Sequence, residues 1–297
     1  MARGYRQDQI QQKLIEILSE SKTGLSGVEI ADKLGMNRAT ITKYLQVFAA
    51  EGIIKQKNIG NANLWFVESG TEKLEFPQDY FRVKDKFVEF LTSGMQQHAY
   101  HLIRNAQYSG ADTTKILIEV IIPAIEQVDE MYVKAKIGKS EAKLFYNVIS
   151  GSIRMLFLGH QSTESKKNVT VLSADGASLL YCKAASCALA SHGWNVFELG
   201  DMSDSIDVMY DIDLQKFLTR IWKQKQGIMV ILVFSASEEG AKFFSESAMS
   251  IKPKFGKNLH VAVYSRASKK LATKAEFVTD SFDAIVQWTD SVAGTLS

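Results

Sequence analysis

The chain has 297 residues, 46% of them hydrophobic and 23% charged, with a formal net charge of +2. Such a length suggests about two domains, and the composition is that of an ordinary globular protein rather than a disordered or fibrous one. The near-neutral balance excludes binding driven by an overall electrostatic field, so affinity for an acidic partner must come from local patches.

The first periodic segment holds Ile10, Leu14, Ile17 and Leu18 and predicts a bracing helix. Ser26 and Glu29 then stand at capping-box spacing, opening a helix whose apolar face is Gly27, Ile30, Ala31 and Leu34. Gly35 suits the left-handed residue that ends it, and Asn37 can cap the next helix. There Ile41, Tyr44, Leu45 and Phe48 face a core, while Arg38, Thr40, Thr42, Lys43 and Gln46 form a short, polar, basic face. A helix of this kind fits a major groove, with its first residues reaching base edges. Two short strands, Ile53 to Lys57 and Leu64 to Val67, flank the turn-rich run Asn58 to Asn61 and predict a wing. Lys55, Lys57 and Asn61 would meet phosphates there. Residues 8–68 thus resemble the winged-helix domain of small bacterial and archaeal transcription regulators, which implies double-stranded DNA as a partner. A winged helix used for protein contacts is the alternative.

From about Asp79 to His160 the pattern is helical. Phe87, Phe90 and Leu91 mark one helix; Ala99, Leu102, Ile103 and Ala106 mark a second. Ile116 to Tyr132 reads as a long third helix tolerating Pro123 near its middle, and Ala142 to Leu156 as a fourth. Short connections predict an antiparallel four-helix bundle. After the polar linker Gln161 to Asn168 strands and helices alternate, with Val169 to Ser173, Trp194 to Leu199, Ile228 to Phe234 and Leu259 to Tyr264 as strands. Helices are expected over Leu179 to Ser191, Leu214 to Lys223, Glu238 to Ser250 and Asp283 to Val292. That alternation predicts a doubly wound parallel sheet. Three domains follow: 1–70 a winged helix-turn-helix, 71–160 a four-helix bundle, and 161–297 a flavodoxin-like α/β domain. Neither a dinucleotide-binding glycine fingerprint nor a Walker sequence is present. Cys182 and Cys187 stand five apart in one predicted helix, and neither a metal nor a disulfide is expected. His98 and His101 read as core or surface residues, and His160 and His192 as helix-end residues. No apolar run approaches the ~20 residues of a membrane span, and no apolar signal core opens the chain, so a cytoplasmic protein is expected.

The order of bundle, linker and α/β domain over about residues 80–295 resembles the cobalamin-binding module of methionine synthase and of light-sensing repressors of the CarH type. The resemblance is carried by Phe87 to Leu91, Ile121 to Val128 and the second strand, Gly193 to Gly200. In that family a DxHxxG motif supplies the histidine that ligates cobalt. The matching stretch here is Asp175 to Tyr181, with Ser178 in the histidine's place and Tyr181 in the glycine's. The repressors' tryptophan and Glu-His pattern reads Tyr132 and Ala142-Lys143, and further contacts read Ser235 to Ser237 and Tyr264 to Arg266. A hydroxyl is a poor cobalt ligand beside imidazole, so histidine-ligated cobalamin is disfavoured. The expected lining of a ligand site between bundle and sheet is Tyr132, Lys143, Asp175, Ser178, Tyr181, Ser235, Ser237 and Tyr264.

These readings converge on a non-enzymatic regulator that binds DNA as a homodimer or homotetramer, its cobalamin-binding-like module serving oligomerisation alone or also the sensing of an unidentified small molecule. The alternatives are a corrinoid or haem sensor, a methyl carrier, and a protein-interaction scaffold. No nucleophile–base pair stands at diagnostic spacing.

Overall fold

The computed structural model describes residues 7–19, 21, 23–59, 62–67, 74–160, 166–222, 227–267 and 273–294. Asn61 and most of the 161–168 linker lie outside them. The chain divides into two compact units, Met1–Ala111 and Asp112–Ser297.

In the first unit, α1 (Gln7–Ser19) leads to a two-residue strand β1 (Leu25–Ser26), then α2 (Gly27–Leu34) and α3 (Arg38–Ala50). The hairpin β2 (Lys55–Ile59) and β3 (Ala62–Phe66) follows. The capping box is formed: Glu29 N donates to Ser26 Oγ at 3.3 Å, and Ser26 N to Glu29 Oε2 at 2.7 Å. Gly35 closes α2 at φ 62°, and the Asn37 side chain accepts from Ala39 N to open α3. Ile10, Leu14, Leu18, Ile30, Ile41, Leu45 and Phe48 meet in one core, with Trp65 of β3 against them. Ile15 is buried there, while Ile17 is only half-buried. The β1 strand, too short to show alternation in sequence, pairs antiparallel with β3 and makes a three-stranded sheet ordered β1-β3-β2. Helices α4 (Tyr80–Thr92) and α5 (Gln96–Tyr108) complete the unit. Arg104 of α5 donates to the carbonyl of Gly52, the left-handed residue (φ 72°) just beyond α3, at 2.8 Å.

The second unit opens with α6 (Thr113–Ile116), a π-helical turn (Leu117–Ile121) and α7 (Ile122–Val133), followed by α8 (Lys139–Leu158). The expected continuous third helix is therefore broken in register by one wide turn. Pro123 follows that wide turn directly, in the first turn of α7. The α/β part is β4 (Lys167–Ser173), α9 (Leu179–Ser191), β5 (Asn195–Asp201), α10 (Tyr210–Ile221), β6 (Ile228–Ser235), α11 (Glu238–Phe255), β7 (Leu259–Ser265), β8 (Phe277–Thr279) and α12 (Phe282–Ala293). All five strands are parallel, in the order β5-β4-β6-β7-β8. Helices α10 and α11 cover one face, and α9 and α12 the other, giving the expected doubly wound sheet. Every residue of β6 is buried, as its uninterrupted apolar run requires.

Several boundaries differ from expectation: β2 starts at Lys55 and runs on through Asn58 and Ile59, expected in the turn, β3 starts at Ala62, and α10 starts at Tyr210 rather than Leu214. Three further differences have local reasons. Strand β5 runs on through Gly200, whose φ of 76° accommodates a register shift against Val171 and Leu172. Helix α11 continues through Pro253, because Phe255 is anchored by stacking on Trp222 at 6.0 Å. The three-residue β8 is too short to announce itself.

One polar cluster ties the α9–β5 turn to α12. Asp290 accepts from Trp194 Nε1 at 2.7 Å and pairs with His192 Nδ1 at 2.6 Å, while His192 Nε2 meets Thr114 Oγ1 at 2.8 Å. The bond to Asp290 raises the His192 pKa. Burial pushes the Asp290 carboxyl up, but its bonds to His192 and Trp194 outweigh that and hold it low. A raised histidine pKa contributes stability that is complete below about 6.5 and lost as pH rises through the folded value. A lowered aspartate contributes stability that is lost as pH falls through its folded value. The destabilisation caused by His192→Gln should thus be largest near pH 5–6, about 1–2 kcal/mol, and shrink by pH 9. Thermal unfolding of both proteins across that range, followed by tryptophan fluorescence, checks it; a pH-independent difference would mean that the ion pair contributes nothing.

Candidate functional sites

In the first unit the recognition surface is built by α3 and the hairpin. Arg38, Thr40, Thr42, Lys43 and Gln46 are all exposed, opposite the buried Ile41, Leu45 and Phe48. Asn37 is also exposed, though its carbonyl oxygen is engaged as the cap, 2.8 Å from Ala39 N. The Thr42 hydroxyl donates to Arg38 O at 2.8 Å, so toward a groove it can only accept. Lys55 and Lys57 are exposed two residues apart on β2, hence on the same strand face. Basic and hydrogen-bonding groups from a helix and an adjoining hairpin therefore share one unit, with a packed core behind the helix.

In the second unit the topological switch point lies between β4 and β6, at whose carboxyl ends ligands of such sheets bind. Here that crevice is laced shut by Asp175. Its Oδ2 accepts from Ser235 Oγ at 2.9 Å and Ala236 N at 2.8 Å, and its Oδ1 from Ser178 N at 2.9 Å. Ser237 is engaged as well, capping α11 by accepting from Gly240 N at 3.1 Å. Tyr181 and Tyr264 are buried and stacked at 5.4 Å, and Tyr264 packs on Phe234. Ser178 is 1% exposed, and its hydroxyl has no hydrogen-bond partner.

A cavity of about 560 Å³ opens beside this region, between α7, α8 and the loop from Gly176 into α9. Of the eight residues expected to line a ligand site, it brings together Tyr132 and Lys143. The other six sit in the laced switch point or the tyrosine stack. The sequence reading missed Asp129, Tyr146, Lys183 and Arg266, which also line it. Arg266 Nη1 donates to Asp129 Oδ2 and to the Tyr181 hydroxyl, both at 2.8 Å, and Tyr146 donates to Asp129 Oδ1 at 2.6 Å. Burial, and then the bond to Asp129, push the Tyr146 phenol well above its ordinary range, so it remains a donor. Nothing local in the sequence joins residues 129, 146, 181 and 266; only their shared chemistry as a carboxylate, two phenols and a guanidinium could have suggested it.

The remaining titratable candidates have structural places. Cys182 and Cys187 are buried free thiols; burial raises the first well above its usual value and pushes the second up to about 12. Neither is a nucleophile in that state. His160 bonds Thr113, His260 bonds Glu276, and His98 faces Phe90 at 5.5 Å. Among the described residues, no group of three or more His, Cys, Asp or Glu is placed to hold a metal.

Residues 10–59 match the profile of an HTH domain. The match covers the three helices and the first wing strand, and it identifies the first unit's surface as that of a winged helix-turn-helix. No curated protein matches the chain. Among solved structures, the monomethylamine corrinoid protein of Methanosarcina barkeri is similar at a TM-score of 0.56 with 10% identity, covering 71% of this chain and 98% of that one. The methanol:cobalamin methyltransferase complex MtaBC from the same organism gives a TM-score of 0.34 with 14% identity, covering 88% of this chain and 94% of that one. The first likeness shows that the helical and α/β part has the fold of a corrinoid protein. Among the described residues, no helix is long and apolar enough to cross a membrane.

Proposed function

We propose that the chain is a cytoplasmic, DNA-binding transcription regulator whose corrinoid-protein-like module assembles copies into a homodimer or homotetramer and receives a small molecule. The observation that carries this reading is the basic, solvent-facing α3 of an HTH domain carried on the same chain as that module. One winged helix reads few base pairs, so specific affinity calls for two half-sites held at fixed spacing, which assembly supplies. A ligand that binds two arrangements of the assembly unequally shifts the DNA-binding state.

The ligand in this reading is not a histidine-held corrinoid. Where the related proteins place the cobalt-ligating imidazole, Ser178 carries a buried, unpartnered hydroxyl. Tyr181, which stands in the place of that family's glycine, is 0% exposed and packed on Tyr264. Nor does the reading assign a catalytic step to any residue.

Selection of bound sequences from a random duplex pool by the full-length protein tests the function. Enrichment of a site with two related half-sites is expected; no enrichment above the non-specific background would overturn the regulator. The likeness to a corrinoid protein favours one second reading, a corrinoid carrier. Incubation with hydroxocobalamin followed by gel filtration separates the two: a retained corrin absorption spectrum selects the carrier, and a colourless protein peak the regulator.

A further inference from the structure

The cavity between α7, α8 and the loop into α9 has a charge pattern that its apolar floor does not explain. Helix α9 is packed on both sides, by the sheet and by α6–α8, and from Leu180 to Ala190 every residue is buried except Lys183. Lys183 runs its stem through that interface and donates from Nζ to the Ser150 hydroxyl of α8 at 2.8 Å. A lysine in such a place is costly unless its ammonium is served, and a hydroxyl serves it without neutralising it.

Lys143, on the same face of α8, also lines the cavity. Neither lysine has an ion-pair partner among the described residues. The one carboxylate of the lining, Asp129, is already engaged by Arg266 and Tyr146. Two uncompensated ammonium groups therefore stand over a floor made by Ile125, Leu179 and Leu180, with Tyr132 at the edge. An adjoining cavity of about 480 Å³ that shares Lys183 is lined by Glu198 and also by Arg154, so the local balance stays positive.

We propose that this cavity takes an amphipathic organic anion, its acidic group between Lys143 and Lys183 and its apolar body over Ile125, Leu179 and Leu180. The volume suits a molecule of drug size, and the few polar groups fix its orientation. Two ammonium heads match one carboxylate, sulfonate or phosphate ester. The proposal names the ligand class of the sensor suggested above and rests on that reading only for its regulatory consequence.

The test uses the full-length protein and two aromatic probes of like shape, the anionic 8-anilinonaphthalene-1-sulfonate and the neutral N-phenyl-1-naphthylamine. Isothermal titration should show the sulfonate saturating one site per chain, at least tenfold tighter than the neutral probe. Lys183→Met and Lys143→Met together should weaken the sulfonate about tenfold or more and leave the neutral probe unchanged. Lys143→Met alone, on an exposed helix position, should already move the sulfonate in the same direction, which keeps the test valid if the double variant misfolds. Sulfonate binding indifferent to both lysines, or equal affinity for the two probes, would overturn the proposal. Duplex-binding titrations run alongside separate the two claims. Lysine-dependent sulfonate binding with unaltered DNA affinity keeps the site and removes the sensing role. DNA binding without a lysine-dependent site keeps the regulator and removes the anion.

Discussion

Replacing Arg38 and Lys43 of α3 together by alanine should lower affinity for a mixed-sequence duplex by about 10–100-fold near 50 mM salt. Both side chains are exposed on the helix that an HTH domain presents to DNA, and neither contributes to the core behind it. Each phosphate contact releases counterions, so the plot of log affinity against log salt should flatten by about one unit per lost charge, about two for the pair. Lys55→Ala and Lys57→Ala on the hairpin should behave similarly if the wing lies against the backbone. Fluorescence anisotropy over a salt series reads both quantities. Weakened binding with an unchanged slope would mean that the charges act through folding rather than on phosphate, and an unchanged affinity would place the DNA elsewhere.

The second large effect is expected at Asp175. Its two carboxylate oxygens accept from three donors belonging to the loops after β4 and β6. Asp175→Ala removes all three bonds; Ala236 N can turn to water and Ser235 Oγ to the Ser237 carbonyl at 2.9 Å, while Ser178 N loses its side-chain partner, so the second unit should lose about 1–3 kcal/mol. Asp175→Asn should rescue little, because both oxygens are acceptors and the amide NH₂ would face a donor whichever way it turned. Ser237→Ala, which removes only the α11 cap, should cost about 1 kcal/mol. Urea unfolding followed by the fluorescence of Trp194, Trp222 and Trp288 gives the comparison. If the aspartate variants lose no more than the serine variant, the latch is decorative, and the switch point is an open crevice in solution.

Much of this architecture was legible because it follows local rules. Ser26 with Glu29, Gly35 and Asn37 marked the helix ends of the DNA-reading motif, and each forms the bond its type implies. The bounds of α9 and the buried β6 followed from a small-residue apolar run and a β-branched one. What escaped is what no local rule encodes. A wide turn at Leu117–Ile121 leaves the spacing of apolar residues almost as an ordinary helix would. Two- and three-residue strands carry no period. Arg266 and Asp129 are brought together across 137 residues, and the residues that line the cavity were hidden behind a family pattern that pointed one helix turn away, to Ser178 and Tyr181.

The grip of Arg104 on the Gly52 carbonyl bears on how this protein can be dissected. A fragment ended after the hairpin would keep the three helices and the wing, yet strip the turn beyond α3 of the guanidinium that satisfies it. A cut after Ala111 preserves that clasp along with α4 and α5, which pack on each other within the same unit. The piece that keeps this turn satisfied is thus longer than the helix-turn-helix and its wing by two helices.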